Sequence, residues 1–409
     1  NHNVFIAASS GSGKSFLVTF IAYNYFAANA MIRIVDIGGS YKKTTGLFGA
    51  RYLDFHSDSG ICLNPFTYVD RKAAQDDLPV IALFIHAMCF SATDVIPFDT
   101  AETSMSIIKD AVRWAWDNEG PEACIDSIYR YLSRYPQYAP PEFRGYSEQD
   151  MAIFRNTAQM LACNLRDFTS GQSYGRWFNG VSNFDISRDE WVVLELENLK
   201  PQKQLFKIVT LQVINAVTQD LYLSDRSRNR LIIFDEAWQF IRGENAHSGG
   251  ARTVAHMKEV IEEGYRRARK YGGSFTVITQ SLLDLKQFGS VGDVIRANSA
   301  FKMYLESPDF EKAKAEGLID CGEFGMALLK SLKSNKPKYS EIFMDTPFGM
   351  GISRLAVDPY SYYIYTSDAR EIAEIESMVK EGMDYAGAIA EMVRKYRGNG
   401  DGRRNSKDG

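Results

Sequence analysis

The chain has 409 residues, 45% of them hydrophobic and 24% charged, and a formal net charge of −4. That is enough globular sequence for two or three domains' worth of core. The acidic balance excludes a chain-wide polycation for nucleic acid, leaving only local patches. Five scattered cysteines without a Cys-x-x-Cys pair exclude a disulfide framework or zinc site and fit a reducing cytosol.

The chain opens on Asn1 and reaches its first strand within four residues, which reads as a fragment whose upstream part is missing. The apolar run Val4–Ala7 predicts a strand, and residues 14–28 predict a helix. Between them lies Ala8-Ser9-Ser10-Gly11-Ser12-Gly13-Lys14-Ser15. A glycine-rich loop between strand and helix is the setting of a phosphate-binding P-loop, because glycine lets successive N–H groups curl around an anion. The nucleotide-binding residues are then Ser10, Gly11, Ser12, Gly13, Lys14, Ser15 and Phe16. Lys14 reaches the β- and γ-phosphates, the Ser15 hydroxyl binds Mg²⁺, and the helix contributes its positive end. Ala8 stands where a glycine is usual, and alanine fits that turn if its φ is negative.

Strands follow at 31–36 and 51–55, with the loop Ile37-Gly38-Gly39-Ser40 after the first. Helical periodicity then dominates at 78–90, 102–118, 127–134 and 150–168, which predicts an all-helical insertion. The stretch 78–90 is interrupted by His86 and too short to span a bilayer, and no secretory signal precedes the first strand. Alternation returns with a strand at 191–196, a helix opened by Pro201, and a strand at 230–235. An amphipathic helix at 253–271 and strands at 274–279 and 298–305 continue it. Short helices at 308–316 and 323–331 precede a hairpin, 338–344 with 351–357. A strand at 362–366, helices at 369–380 and 384–397, and a disordered tail at 398–409 end the chain.

Alternating strands and helices imply an α/β fold with a mostly parallel sheet, whose ligands bind at the carboxyl ends of the strands. The division is 1–69 and 189–397 for the core, 70–188 for the all-α subdomain and 398–409 for the tail. The run Leu231-Ile232-Ile233-Phe234-Asp235-Glu236 suits a buried strand ending in two acids with separate tasks. Asp235 serves the Mg²⁺ ion and Glu236 polarises the attacking water. Gln280, at the tip of the 274–279 strand, is placed to sense a γ-phosphate if that strand lies between the other two. Asp36 either supports the metal's water shell or caps a turn.

Arg269, and second Arg266, are candidates for an arginine acting across a subunit boundary; glutamates one turn earlier offer the competing role of surface ion pairs. Asp358-Pro359-Tyr360 with Tyr362-Tyr363 form either core or an adenine wall. Basic clusters at 226–230, 330–338 and 394–404 read as solvated surface or, in a ring, pore lining.

In this order, the P-loop, Asp36-Ile37-Gly38-Gly39-Ser40-Tyr41, Leu63-Asn64-Pro65-Phe66 and Phe234-Asp235-Glu236-Ala237-Trp238 resemble the TraC family of conjugative-transfer ATPases of type IV secretion systems. The segment 266–271, Thr279-Gln280-Ser281 and Ala356-Val357-Asp358-Pro359 complete the resemblance, which covers nearly the whole chain. It implies a RecA-like P-loop NTPase core with an all-helical insertion subdomain, ATP and Mg²⁺ as cofactors, and a hexameric ring. It also implies ATP hydrolysis powering pilus biogenesis and substrate transfer at the cytoplasmic face of the inner membrane. The partners implied are the secretion system's inner-membrane complex and a single-stranded DNA or protein substrate. The alternatives are a DNA-translocating coupling-protein type of ATPase, which calls for transmembrane helices and a more basic pore, and a non-catalytic nucleotide-gated scaffold. Glu236 argues against the scaffold, since a scaffold needs no water-activating acid.

Overall fold

In the computed structural model, which describes residues 2–9, 11–69, 71, 74–90, 98–138, 147–222, 226–236 and 251–401, the apolar runs form one sheet. Its parallel strands are β1 (Val4–Ala7), β2 (Met31–Asp36), β3 (Arg51–Asp54), β4 (Trp191–Glu195), β5 (Arg230–Asp235), β6 (Gly273–Thr279) and β7 (Phe301–Tyr304). An antiparallel extension adds β8 (Ser334–Asn335), β9 (Tyr339–Thr346) and β10 (Gly349–Leu355). The order is β10-β9-β7-β1-β6-β5-β2-β4-β3, with β8 on β9. β6 therefore lies between β1 and β5, as the Gln280 reading requires.

Central strands are buried on both faces, which explains their near-continuous apolar sequences. The two-residue alternation of strand side chains assigns them to different cores. Val4 and Ile6 join Ile32, Ile34 and Ile233 against Leu17 and Val18 of α1 (Lys14–Ala27). Phe5 and Ala7 face the other way, with Val35, Phe234 and Val277. After α2 (Lys42–Phe48), that second face receives α3 (Ala74–Cys89), α4 (Phe98–Glu119), α5 (Ile125–Ser133), α6 (Tyr135–Tyr138) and α7 (Glu148–Leu165). Their Phe84, Ile108, Ile128 and Leu161 share one continuous core with the strands, so the helical block is welded to the sheet. α8 (Lys203–Tyr222) and α9 (Ala251–Arg267) complete the layer.

Beyond β6 come α10 (Asp284–Gln287) and α11 (Ser290–Asn298), then α12 (Phe310–Ala315) and α13 (Gly322–Ser331). The chain closes with α14 (Pro359–Tyr365), α15 (Ala369–Lys380) and α16 (Tyr385–Asp401), where Tyr363, Ile375, Ala388, Ile389 and Met392 form a satellite core. No helix among the described residues is long and apolar enough to cross a membrane.

Several elements differ from their sequence expectations. Residues 362–366 are not a strand, because Asp358 accepts N–H bonds from Tyr360 and Ser361 and Pro359 fills the first helical position, starting α14. The strand expected at 298–305 is only Phe301–Tyr304, since Asn298 ends α11. Pro201 lies in a turn and α8 begins at Lys203. In the expected tail, α16 continues to Asp401, and 402–409 lie outside the described residues.

Candidate active site

The carboxyl ends of β1, β2, β5 and β6 converge on a cleft of about 900 Å³. β1 ends at Ala7, and Ala8 is buried with its N–H donating to Thr279 O at 3.1 Å. Ala8 is absent from the residues with positive φ, so its Cβ is no obstacle to the loop. Gly11 (φ 80°) and Gly13 (φ 107°) do use the left-handed region. A Cβ on Gly13 would also stand 3.1 Å from the Ser340 hydroxyl. The Ser12 hydroxyl closes the turn on Ser9 O at 2.7 Å. Ser10 lies outside the described residues. α1 starts without a side-chain cap, so its first N–H groups face the cleft as anion donors.

Lys14 Nζ donates to Asp235 Oδ1 at 2.9 Å and also to Glu236 Oε1. Burial lowers the Lys14 pKa, but the attraction of Asp235 and then Glu236 outweighs it, and the ammonium ends above its ordinary value. Asp235 is further fixed by the buried Tyr41 hydroxyl, which donates to Oδ2 at 2.7 Å. Burial, with the Asp235 charge second, holds the Tyr41 pKa well above the usual phenol range. Glu236 is buried and has φ 60°, a backbone state that disfavours side chains other than glycine, asparagine and aspartate.

Asp36, at the end of β2, accepts the Ser40 N–H at 2.8 Å, so it shapes the turn after its strand. Its second oxygen is buried without a donor. Glu195, at the end of neighbouring β4, accepts N–H bonds from Gly39 at 2.7 Å and Glu197 at 2.8 Å. Burial first, then the Asp235 and Glu195 charges, raises the Asp36 pKa well above the carboxylate range. Both observations are satisfied when Asp36 carries a proton and donates it to Glu195.

Gln280 follows β6 directly and is exposed on the cleft, which half-buried Ser15 of α1 also lines. Phe16 lines the same cleft, its ring 5.7 Å from Tyr362 and 5.6 Å from Tyr365. Of the expected adenine wall, Tyr362 lines the cleft, Tyr363 is buried in the satellite core and Tyr360 is exposed.

Arg266 and Arg269 are not in this cleft. They precede β6, whereas Gln280 follows it, and seven residues of strand separate the two ends by roughly 25 Å. Arg266 is exposed and 3.7 Å from Glu262, and Arg267 pairs with Glu263. Arg269 is exposed on the 3₁₀ turn at 268–271. The basic cluster at 226–230 is largely paired, Arg228 with Glu190 and Arg230 with Asp220.

Sequence reading missed Lys336 in the cleft wall, and Tyr41 and Glu195 as buried partners behind it. Glu195 carried the same signal as Asp36 and Asp235, a carboxylate closing an apolar strand. Tyr41 closed the Asp36–Tyr41 motif and Lys336 lay in the basic cluster at 330–338, but neither carried a signal for its partner.

Residues 1–396 match the protein family described as TraG P-loop domain. The chain is 26% identical to Protein TraC of Escherichia coli (strain K12) over 417 aligned residues, covering 97% of this chain and 43% of that protein. It thus spans less than half of that relative's length. Among solved structures, VirB4 of Thermoanaerobacter pseudethanolicus is similar in fold, with TM-score 0.66, 16% identity, and 88% and 90% of the two chains covered. Plasmid coupling protein TrwB in complex with a non-hydrolysable ATP analogue has TM-score 0.58, 13% identity, and 87% and 85% covered. These likenesses agree with the RecA-like α/β architecture expected from the motifs.

Proposed function

We propose, for a chain that belongs to the TraG P-loop domain family, an Mg²⁺-dependent ATPase whose hydrolysis powers conjugative type IV secretion. The observation that carries the hydrolytic reading is the meeting of Lys14 with Asp235 and Glu236 beneath an uncapped helix start. In this reading the N–H groups of residues 11–15 and Lys14 hold the phosphates, and Lys14 leaves the two acids to do so. That exchange frees Glu236 to orient a water and accept its proton, and places Gln280 beside the terminal phosphate. Phe16 and Tyr362 flank the base.

Mg²⁺ fits the donors available. Ser15 and Asp235 offer hard oxygen ligands, and no cluster of three or more His, Cys, Asp or Glu among the described residues would hold a metal without the nucleotide. The ion would neutralise phosphate charge, and Tyr41 holds the Asp235 carboxylate that would serve it.

Arg269, with Arg266 second, completes the site of a neighbouring subunit, because both are exposed and too far from their own cleft. The assembly is a hexameric ring at the cytoplasmic face of the inner membrane, engaged by the secretion system's inner-membrane complex. The likeness to TraC over 97% of this chain supports pilus biogenesis and substrate transfer as the work done. The fold it shares with TrwB keeps a DNA-translocating ATPase as the second reading.

The test is ATP turnover against protein concentration, with and without Mg²⁺ and single-stranded DNA. Mg²⁺-dependent turnover that steepens with concentration and ignores DNA is the expected result. Stimulation by DNA would favour the translocase, and no turnover at any concentration would overturn the ATPase.

A further inference from the structure

The lysine cluster at 330–338 is not absorbed by the site above. Lys330 pairs with Glu311, but Lys336 reaches the P-loop, its Nζ donating to Gly11 O at 2.7 Å. Lys336 has no carboxylate partner among the described residues.

Its position is built into the sheet. β9 pairs with β7, and β7 pairs with β1, the strand that ends in the P-loop. β8 folds back on β9 in the register Ser334–Ser340 and Asn335–Tyr339, with Lys338 N–H on Asn335 O at 2.8 Å. That turn rests on the loop: a Cβ on Gly13 would meet Lys336 Cε at 3.7 Å as well as Ser340. Glu306 links the two segments, accepting from the Ser9 hydroxyl at 2.6 Å and the Ser334 N–H at 3.2 Å.

Lys336 therefore lines the cleft with Lys14, but it differs from Lys14 in one respect. Lys14 is held by two acids, whereas Lys336 is held by one neutral carbonyl. An ammonium is attracted more strongly by an anionic phosphate oxygen than by a neutral carbonyl, because two full charges then interact in place of a charge and a dipole. We propose that Lys336 is a second phosphate-binding cation, supplied in cis by the β8–β9 turn, which exchanges the Gly11 carbonyl for an oxygen of the nucleotide's phosphate chain. This rests on the nucleotide reading above.

The attraction grows with ligand charge, so a triphosphate gains more from Lys336 than a diphosphate. The experiment is calorimetric titration of the whole chain and its Lys336→Met and Lys336→Arg variants with Mg²⁺–ADP and a non-hydrolysable ATP analogue. Lys336→Met should lose about tenfold in affinity for the analogue and clearly less for ADP, and Lys336→Arg should recover most of the loss. Equal losses for both ligands, or no loss, would overturn the assignment and leave Lys336 as a brace of the P-loop. The unaltered chain is the control for the premise: if it binds neither ligand, the nucleotide reading itself has failed.

Discussion

The Tyr41 hydroxyl donates to Asp235 Oδ2 at 2.7 Å while Lys14 takes Oδ1 at 2.9 Å, so both oxygens of this acid are committed before any ligand enters. In the proposed mechanism Lys14 turns to phosphate, and the tyrosine bond would then be left to hold the Asp235 carboxylate in place.

Tyr41→Phe should therefore weaken the response to metal more than the response to nucleotide. Its expected signature is a several-fold rise in the Mg²⁺ concentration needed for half-maximal turnover, with little change in KM for ATP. The buried acceptor left behind costs about 1–3 kcal/mol of stability, readable by chemical denaturation. An unchanged Mg²⁺ requirement would remove Tyr41 from the metal side of the site.

Glu236→Gln should bind nucleotide and fail to turn it over, and Arg269→Ala should bind and turn over poorly. If Arg269 serves a neighbour's site, mixing the two variants recovers activity, because some interfaces then join an intact cleft to an intact arginine. A mixture no more active than its components would leave Arg269 as a solvated residue of the 3₁₀ turn after α9.

Asp36 sets a pH dependence of stability. Its folded pKa is raised, and its unfolded pKa is about 3.9. Above that value the folded chain holds a proton that the unfolded chain has released, so this contribution is complete below about pH 4 and is lost as pH rises through the folded pKa. Asp36→Asn keeps a donor for Glu195 and abolishes the titration. The variant should match or exceed the parent in stability at pH 8 and show a flatter profile from pH 4 upward, followed by thermal unfolding. A variant with the parent's slope would mean that Asp36 is ionised in the fold.

Lys43 gives a slope of opposite sign. It is buried in α2, and its Nζ donates to Tyr363 O at 2.8 Å and Thr366 O at 2.7 Å, tying α14 to the core. Burial lowers its pKa to about 7, against a weaker pull from Glu371. The unfolded value is about 10.4, so between about pH 7 and 10 the unfolded chain binds the extra proton and stability rises with pH. Lys43→Met should lose that rise and, with both Nζ hydrogen bonds removed, about 1–3 kcal/mol at neutral pH in urea unfolding. A retained slope would assign the titration to another group.

The parts of the site that lie on single strands were legible in the sequence. β1, β2 and β5 announce themselves as apolar runs closed by a glycine-rich loop or a carboxylate, because a doubly covered strand has no polar face. The order of strands also had a sequence trace, in that Gln280 made sense only between β1 and β5. What stayed hidden was made by adjacency. Glu195 meets Asp36 because β4 lies beside β2, and Lys336 meets Gly11 because two strands fold outward from β1. Residues 362–366 misled for a different reason: a run of tyrosines, isoleucine and threonine has strand propensity, and the Asp358–Pro359 cap overrode it.

The left-handed backbone at Glu236 bears on how this chain can change over generations. Glycine would relieve about 1 kcal/mol there that glutamate does not, so the gentlest backbone route at this position leads away from the carboxylate. On the role proposed for Glu236, drift alone would favour a quieter, inactive descendant. A lineage that retains glutamate at 236 records continued demand for the acid, and that one torsion angle marks where stability and work are set against each other.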